Sequence, residues 1–226
     1  MKIVAVTNYR FDKDYLEDWK ENLKPLVDDY VIVHDEDGFF HVDEGEARKR
    51  QYELARKKGA DWIVVLDIDE RIEKRAAKKI RKIIKLLERK GSPRAVLKLN
   101  FKELYEPGRY RIDGLWGKKV RNAIFSVKED NIFSDARLHT PREPQNEDLI
   151  VVNTDLNIYH LKHIQPELRK HRKMIYNKLD PTNEFQAIGY DYLDDENGMI
   201  LEKIPMGRKY IPKCKNYEID KRIFET

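Results

Sequence analysis

A single cysteine, Cys214, in 226 residues leaves no partner for an intrachain disulfide. No apolar stretch approaches the roughly 18 residues needed to cross a bilayer, so no transmembrane segment is expected. The N-terminus runs straight into the apolar segment KIVAV, without the charged leader, apolar core and cleavage site of a secretory signal. These absences make the cytoplasm the expected location and leave peripheral contact with the inner membrane surface open. Internal repeats and low-complexity segments are missing as well. So is charge of one sign: 45 Lys and Arg against 41 Asp and Glu give a net charge of +4. That balance excludes a polycation that coats nucleic acid, and no nucleic-acid partner is expected.

What is present is charge of both signs. Charged residues make up 38% of the chain, above the usual quarter or so. This is the composition of a heat-adapted protein with surface ion pairs, or of a merely very soluble one. The length suits one α/β domain with a substantial core. Apolar runs and helical periodicity predict strand 2–6, helix 13–24, strand 30–34, helix 44–58, strand 62–66, helix 71–90 and strand 94–101. Such alternation implies a largely parallel sheet with right-handed crossovers. After Phe101 the pattern turns mixed, with strands near 118–127 and 150–160 and a helix near 165–178. Residues 183–226 show no clear periodicity and are expected to form a C-terminal extension packed on the same domain.

The segment DWIVVLDIDER, residues 61–71, carries the most chemistry. Trp62 to Leu66 read as a buried strand, and Asp67 and Asp69 follow at its carboxyl edge, where open α/β sheets bind ligands. Two carboxylates gathered there can hold a hard cation, Mg²⁺ or Mn²⁺, with phosphate oxygens completing its shell. The plainer alternative is that Asp67, Asp69 and Glu70 only cap the next helix.

Upstream, Glu44 to Lys58 read as a helix that carries Arg48 and stops at Gly59. With this helix, the strand and its acidic end, the chain resembles glycosyltransferases of the GT-A fold, in particular family 2. MKIVAVTNYR looks like the first strand, ending near Asn8, and YVIVHDEDG like the second, ending near Asp35. The later segments GKKVRNAIFSV, DARLHTPREP and NIYHLKHIQPELRKHRKMIYNKLDP fit the same plan, so the resemblance covers most of residues 1–182. It departs at Glu36 to Phe40 and at His139-Thr140, where the family usually has small or hydroxyl residues and a His-Glu pair.

The resemblance implies an α/β, Rossmann-like GT-A fold with a mostly parallel mixed central sheet flanked by helices. Residues 1–100 would be the nucleotide-binding half and 101–182 the acceptor half. It implies transfer of a sugar from a nucleotide-diphosphate donor to a carbohydrate, lipid-linked or protein acceptor, with inversion at the anomeric carbon. Asn8, Asp35, Arg48 and Asp67 would bind the donor, and Asp67, Asp69 and His160 the metal. A general base must reach the acceptor hydroxyl; Glu143 and Asp135 are the candidates, in the loop that also carries His139. His163 and His171, among Lys and Arg, are expected at the surface or facing phosphate. Two other enzyme classes use a similar acidic metal site. A nucleotidyltransferase would need a Gly-rich N-terminal loop that is missing here. A haloacid dehalogenase-like phosphatase normally continues its motif with Gly and a hydroxyl residue, where this chain has Glu70 and Arg71. A non-enzymatic nucleic-acid-binding protein could use the basic face of helix 71–90, but no aromatic residues interleave with it.

Overall fold

The computed structural model describes residues 1–213, 217 and 219–225; Cys214 lies outside them. The N-terminal half runs β1 (Ile3–Tyr9), α1 (Leu16–Leu23), β2 (Asp29–His34), α2 (Phe39–Val42), α3 (Glu44–Lys57), β3 (Trp62–Val65), β4 (Glu70–Ile72) and α4 (Ala76–Arg89). There follow β5 (Ala95–Glu106), β6 (Arg109–Arg111), β7 (Val120–Ser126), β8 (Ile150–His160), α5 (Pro166–Leu179) and β9 (Leu201–Lys203). Among the described residues these strands form one sheet, in the order β2-β1-β3-β7-β5-β6-β9, with β8 also paired to β5 and β4 to β8. The fold is α/β with a mixed central sheet flanked by helices.

Strand direction sets where the ends meet. β1 runs parallel to β2 and β3, β7 runs antiparallel to both β3 and β5, and β8 is parallel to β5. Hence β1, β2, β3, β5 and β8 all point one way, and their carboxyl ends share one edge of the sheet.

Period-two alternation sorts the core into two layers. Ile3, Ala5, Trp62 and Val64 face α1 and α4, where they meet Trp19, Leu23, Ile80 and Ile84. Val4, Val6, Ile63 and Val65 face α3, against Tyr52 and Ala55. The exposed side of α4 carries Lys78, Lys82 and Lys85, a solvated face of the ordinary kind. No helix of the described residues is long and apolar enough to cross a membrane.

The main departure from the expected elements is at residues 70–75. Helix 71–90 was expected to begin directly after the acidic motif, but Glu70, Arg71 and Ile72 pair with His160, Tyr159 and Ile158 as β4, and α4 starts only at Ala76. Long-range pairing overrides local helix propensity here, because Ile72 joins the core and the buried Arg71 finds the carbonyls of Ile68, Glu70 and Tyr15. Asp67, Asp69 and Glu70 therefore cap no helix, and α4 has no acidic residue in its first turn. β5 is also longer than expected and reaches Glu106. Within residues 183–226, β9 pairs with β6, Arg208 bonds Glu73 at 3.0 Å, and the Tyr217 hydroxyl donates to Asp18 at 2.9 Å.

Asp43 caps α3 by accepting from the Glu46 amide at 2.9 Å. Gly45, in the first turn, lets the 134–136 backbone approach: an added Cβ would lie 2.7 Å from the Ala136 carbonyl oxygen. The Glu44 amide bonds the Arg137 carbonyl at 3.0 Å, and Glu44 accepts from the Thr140 amide at 3.2 Å, so the loop cannot easily retreat. Gly45→Ala should therefore destabilise by about 1–3 kcal/mol through overpacking, although the same change in an open helix gains up to ~1 kcal/mol. A urea unfolding midpoint reads the sign, and a stabilised variant would show that the loop yields.

Candidate functional site

Sequence-distant residues converge where the strands end. A cleft of about 160 Å³ is lined by Asn8 from β1, Asp35 after β2, Asp67 and Asp69 after β3, His160 from β8, and Arg172 and Tyr176 from α5. The other residue expected to hold the donor, Arg48, is not among the lining residues. It is buried on α3 and donates to Asp67 Oδ1 and to Glu44, each at 3.2 Å. Its guanidinium lies 4.7 Å from the Phe40 ring, so it acts on Asp67 from behind.

The acidic motif is held in an ion-pair network. Arg142 donates to Asp67 Oδ2 at 2.6 Å and to both oxygens of Glu70 at 2.7 and 2.8 Å. Glu70 in turn accepts from the Asp67 amide at 3.1 Å, which fixes the turn. Burial works against the Asp67 charge, but Arg142 and Arg48 outweigh it and hold the carboxyl down at about 2. Each Asp67 oxygen thus accepts from an arginine, while the side chain still lines the cleft.

Asp69 is placed differently. Its side chain is 8% exposed, and Oδ2 lies 3.1 Å from His160 Nε2. No hydrogen bond is made to Oδ1 among the described residues. Burial opposes its charge as well, yet His160 keeps its carboxyl well below the usual range. The other nitrogen of His160, Nδ1, bonds Glu103 Oε2 on β5. Burial lowers the His160 pKa, but the two flanking carboxylates overcome this and push it up to about 9. Glu103 also accepts from Lys119 at 3.1 Å and lies 3.6 Å from His163 Nδ1.

These donors fit a divalent cation. Two neighbouring ligands of a six-coordinate ion at about 2.1 Å stand roughly 3 Å apart, and Asp69 Oδ2 and His160 Nε2 are 3.1 Å apart. Glu103 on the far nitrogen supplies the carboxylate that orients a ligating histidine. Glu103, His160 and His163 also form a buried cluster whose ligand atoms lie within 4.8 Å of one another.

The two carboxylates expected to act as base do not line this cleft. Asp135 has an 89% exposed side chain and pairs with Lys49, while Glu143 accepts from Asn122 at 2.7 Å. His139 Nε2 meets the Tyr190 hydroxyl at 2.9 Å. His163, expected at the surface or facing phosphate, is buried beside Glu103; His171 is buried too and lines the cleft. Sequence reasoning missed Arg142 and Glu103. Three carboxylates within four positions demand compensating cations, which was a signal for an arginine. In FKELYE, alternation places Glu103 on the face of the core residues Phe101 and Tyr105, a signal for a buried, partnered acid.

No known family model matches the chain, and no curated protein does. Solved structures of TarS from S. aureus resemble it. The complex of its residues 1–349 with UDP gives a TM-score of 0.47 at 11% identity over 87% of this chain and 70% of that one. The complex with UDP-GlcNAc gives 0.46 at 12% identity over 87% and 71%. A197 from STIV gives 0.36 at 14% identity over 71% and 85%. The chain spans 44% of the longer TarS chain.

Proposed function

We propose that the protein is a metal-dependent glycosyltransferase that moves a sugar from a nucleotide-diphosphate donor to an acceptor hydroxyl, with inversion. The observation that carries this reading is the convergence of Asn8, Asp35, Asp67, Asp69 and His160 on one cleft at the carboxyl edge of the sheet. A phosphatase needs a comparable metal site but no nucleoside pocket, whereas this cleft also extends along Asn8 and Asp35, and a nucleotidyltransferase would need the Gly-rich N-terminal loop that is missing.

In this reading Asp69 and His160 hold Mn²⁺ or Mg²⁺, and Glu103 orients the His160 ring. A cation held there offsets charge that develops on the leaving diphosphate. Asp67, with both oxygens taken by arginines, presents a fixed edge to the donor, and Arg48 is a positioning residue behind it. Asn8 and Asp35 face the nucleoside. Lys162, which also lines the cleft, supplies positive charge for the phosphates. For the base we favour Glu143 over Asp135, because its neighbour Arg142 touches Asp67 and Glu70.

Calorimetry with nucleotide diphosphates, UDP first, tests the reading. Binding should require Mn²⁺ or Mg²⁺, and no binding of any nucleotide with either metal would overturn it. Glu143→Gln should keep that binding and lower transfer by about 10²–10⁴-fold, the usual contribution of a general base. Undiminished transfer would remove Glu143 from the reaction.

A further inference from the structure

Beside the donor cleft lies a second cavity of about 280 Å³, lined in part by Lys119, Arg121, Arg172, Tyr176, Leu115 and Ile188. Arg172 and Tyr176 border both. Charge in this second cavity is out of balance. Its one lining carboxylate, Glu103, is already taken by Lys119 and His160. Arg121 makes a 3.3 Å bond to the Val120 carbonyl and lies 4.4 Å from the Phe101 ring. Arg172 donates to the Tyr176 hydroxyl at 3.2 Å and lies 3.4 Å from His163 Nε2. Among the described residues, neither guanidinium forms an ion pair with a carboxylate. A guanidinium cannot shed its charge, and withdrawing it from water without a counter-ion is costly. Neither arginine has a carboxylate in contact, although Glu103 and Asp69 act on Arg172 from a distance.

We propose that the cavity binds a phosphate group carried by the acceptor, gripped by Arg121 and Arg172 next to the donor cleft. The assignment to the acceptor rests on the glycosyltransferase reading; the phosphate site rests on the arginines. Guanidinium forks match phosphate oxygens in pairs. The volume is several times the ~30 Å³ share of a water molecule, which leaves room for an ester. At the rim, Ile188 is 68% exposed and suits the carbon skeleton of that ester.

The probe is glycerol 3-phosphate, titrated calorimetrically into the full chain, with glycerol as the neutral control and with or without UDP and Mn²⁺. The ester should bind and glycerol should not. Arg121→Gln should weaken the ester by about tenfold or more, the loss of one charge-assisted contact. Ile188→Glu sets a carboxylate at the exposed rim without touching the core. It should weaken the ester several-fold and decides the matter should Arg121→Gln fail to fold. Asp69→Asn and added UDP should leave ester binding unchanged. Sedimentation with phosphatidylcholine vesicles containing phosphatidic acid, lost in Arg121→Gln, would identify the phosphate as lipid-borne; ester binding without sedimentation would identify a soluble acceptor. Absence of ester binding, indifference to both variants, or displacement by UDP would each overturn the proposal. Ester binding in a protein that binds no nucleotide would sink the donor reading alone.

Discussion

Asp69→Asn should abolish metal-dependent nucleotide binding while leaving the protein folded. The substitution preserves shape and a hydrogen-bond acceptor toward His160 but removes the charge that a hard cation requires. Changes to residues that merely orient a metal ligand cost 10–100-fold in affinity. Loss of a ligating carboxylate should reach at least the upper end, on the order of 100-fold or about 2.7 kcal/mol. Folding should survive because His160 keeps Glu103 as its counter-ion. Calorimetry of UDP with Mn²⁺, beside a urea unfolding curve, separates the outcomes. Normal metal-dependent binding by folded Asp69→Asn would show that Asp69 is not a ligand. Marked unfolding, with normal binding by the folded fraction, would make it a structural residue.

Arg142→Met should be the most destabilising single change in the site. The arginine side chain is 9% exposed and that of Glu70 1%, so its removal leaves a buried carboxylate uncompensated. Breaking a buried pair from one side costs about 3–5 kcal/mol. At roughly 2–4 °C per kcal/mol for a chain of this size, the melting temperature should drop by on the order of 10 °C. Adding Glu70→Gln should recover part of the loss, because the two residues share contacts and their effects cannot add. A cost below about 1 kcal/mol would place the network in the class of solvated surface pairs. It would also remove Arg142 as the anchor of the acidic turn.

The helical and strand segments were legible wherever periodicity was strong. Ile3 to Val6, Trp62 to Leu66 and the apolar stripe of α4 are local patterns, and each forms its element within a few residues of the expected bounds. The acidic turn resisted this treatment. A run of Glu70, Arg71, Ile72, Glu73, Lys74 and Arg75 reads as helix, and only pairing with Ile158 to His160 makes Glu70 to Ile72 a strand. The same limit applied to the arginines. In the sequence Arg48 reads as a donor-binding residue and Arg142 does not stand out, since nothing local distinguishes a guanidinium that points at water or a ligand from one that points at Asp67.

By itself, then, the sequence determined the alternating elements of an α/β sheet and placed Asp67 and Asp69 at the end of a buried strand. Those properties depend on neighbours a few positions apart, and hydrophobic periodicity records them directly. Tertiary structure alone decided which charges meet. His160 reaches Asp69 across 91 positions, Glu103 across 57, and Arg142 reaches Asp67 across 75. Such pairs exist only once the carboxyl ends of β1, β2, β3, β5 and β8 share one edge. They are set by strand order and direction, and by the cost of leaving a buried charge alone, neither of which leaves a periodic trace in the chain.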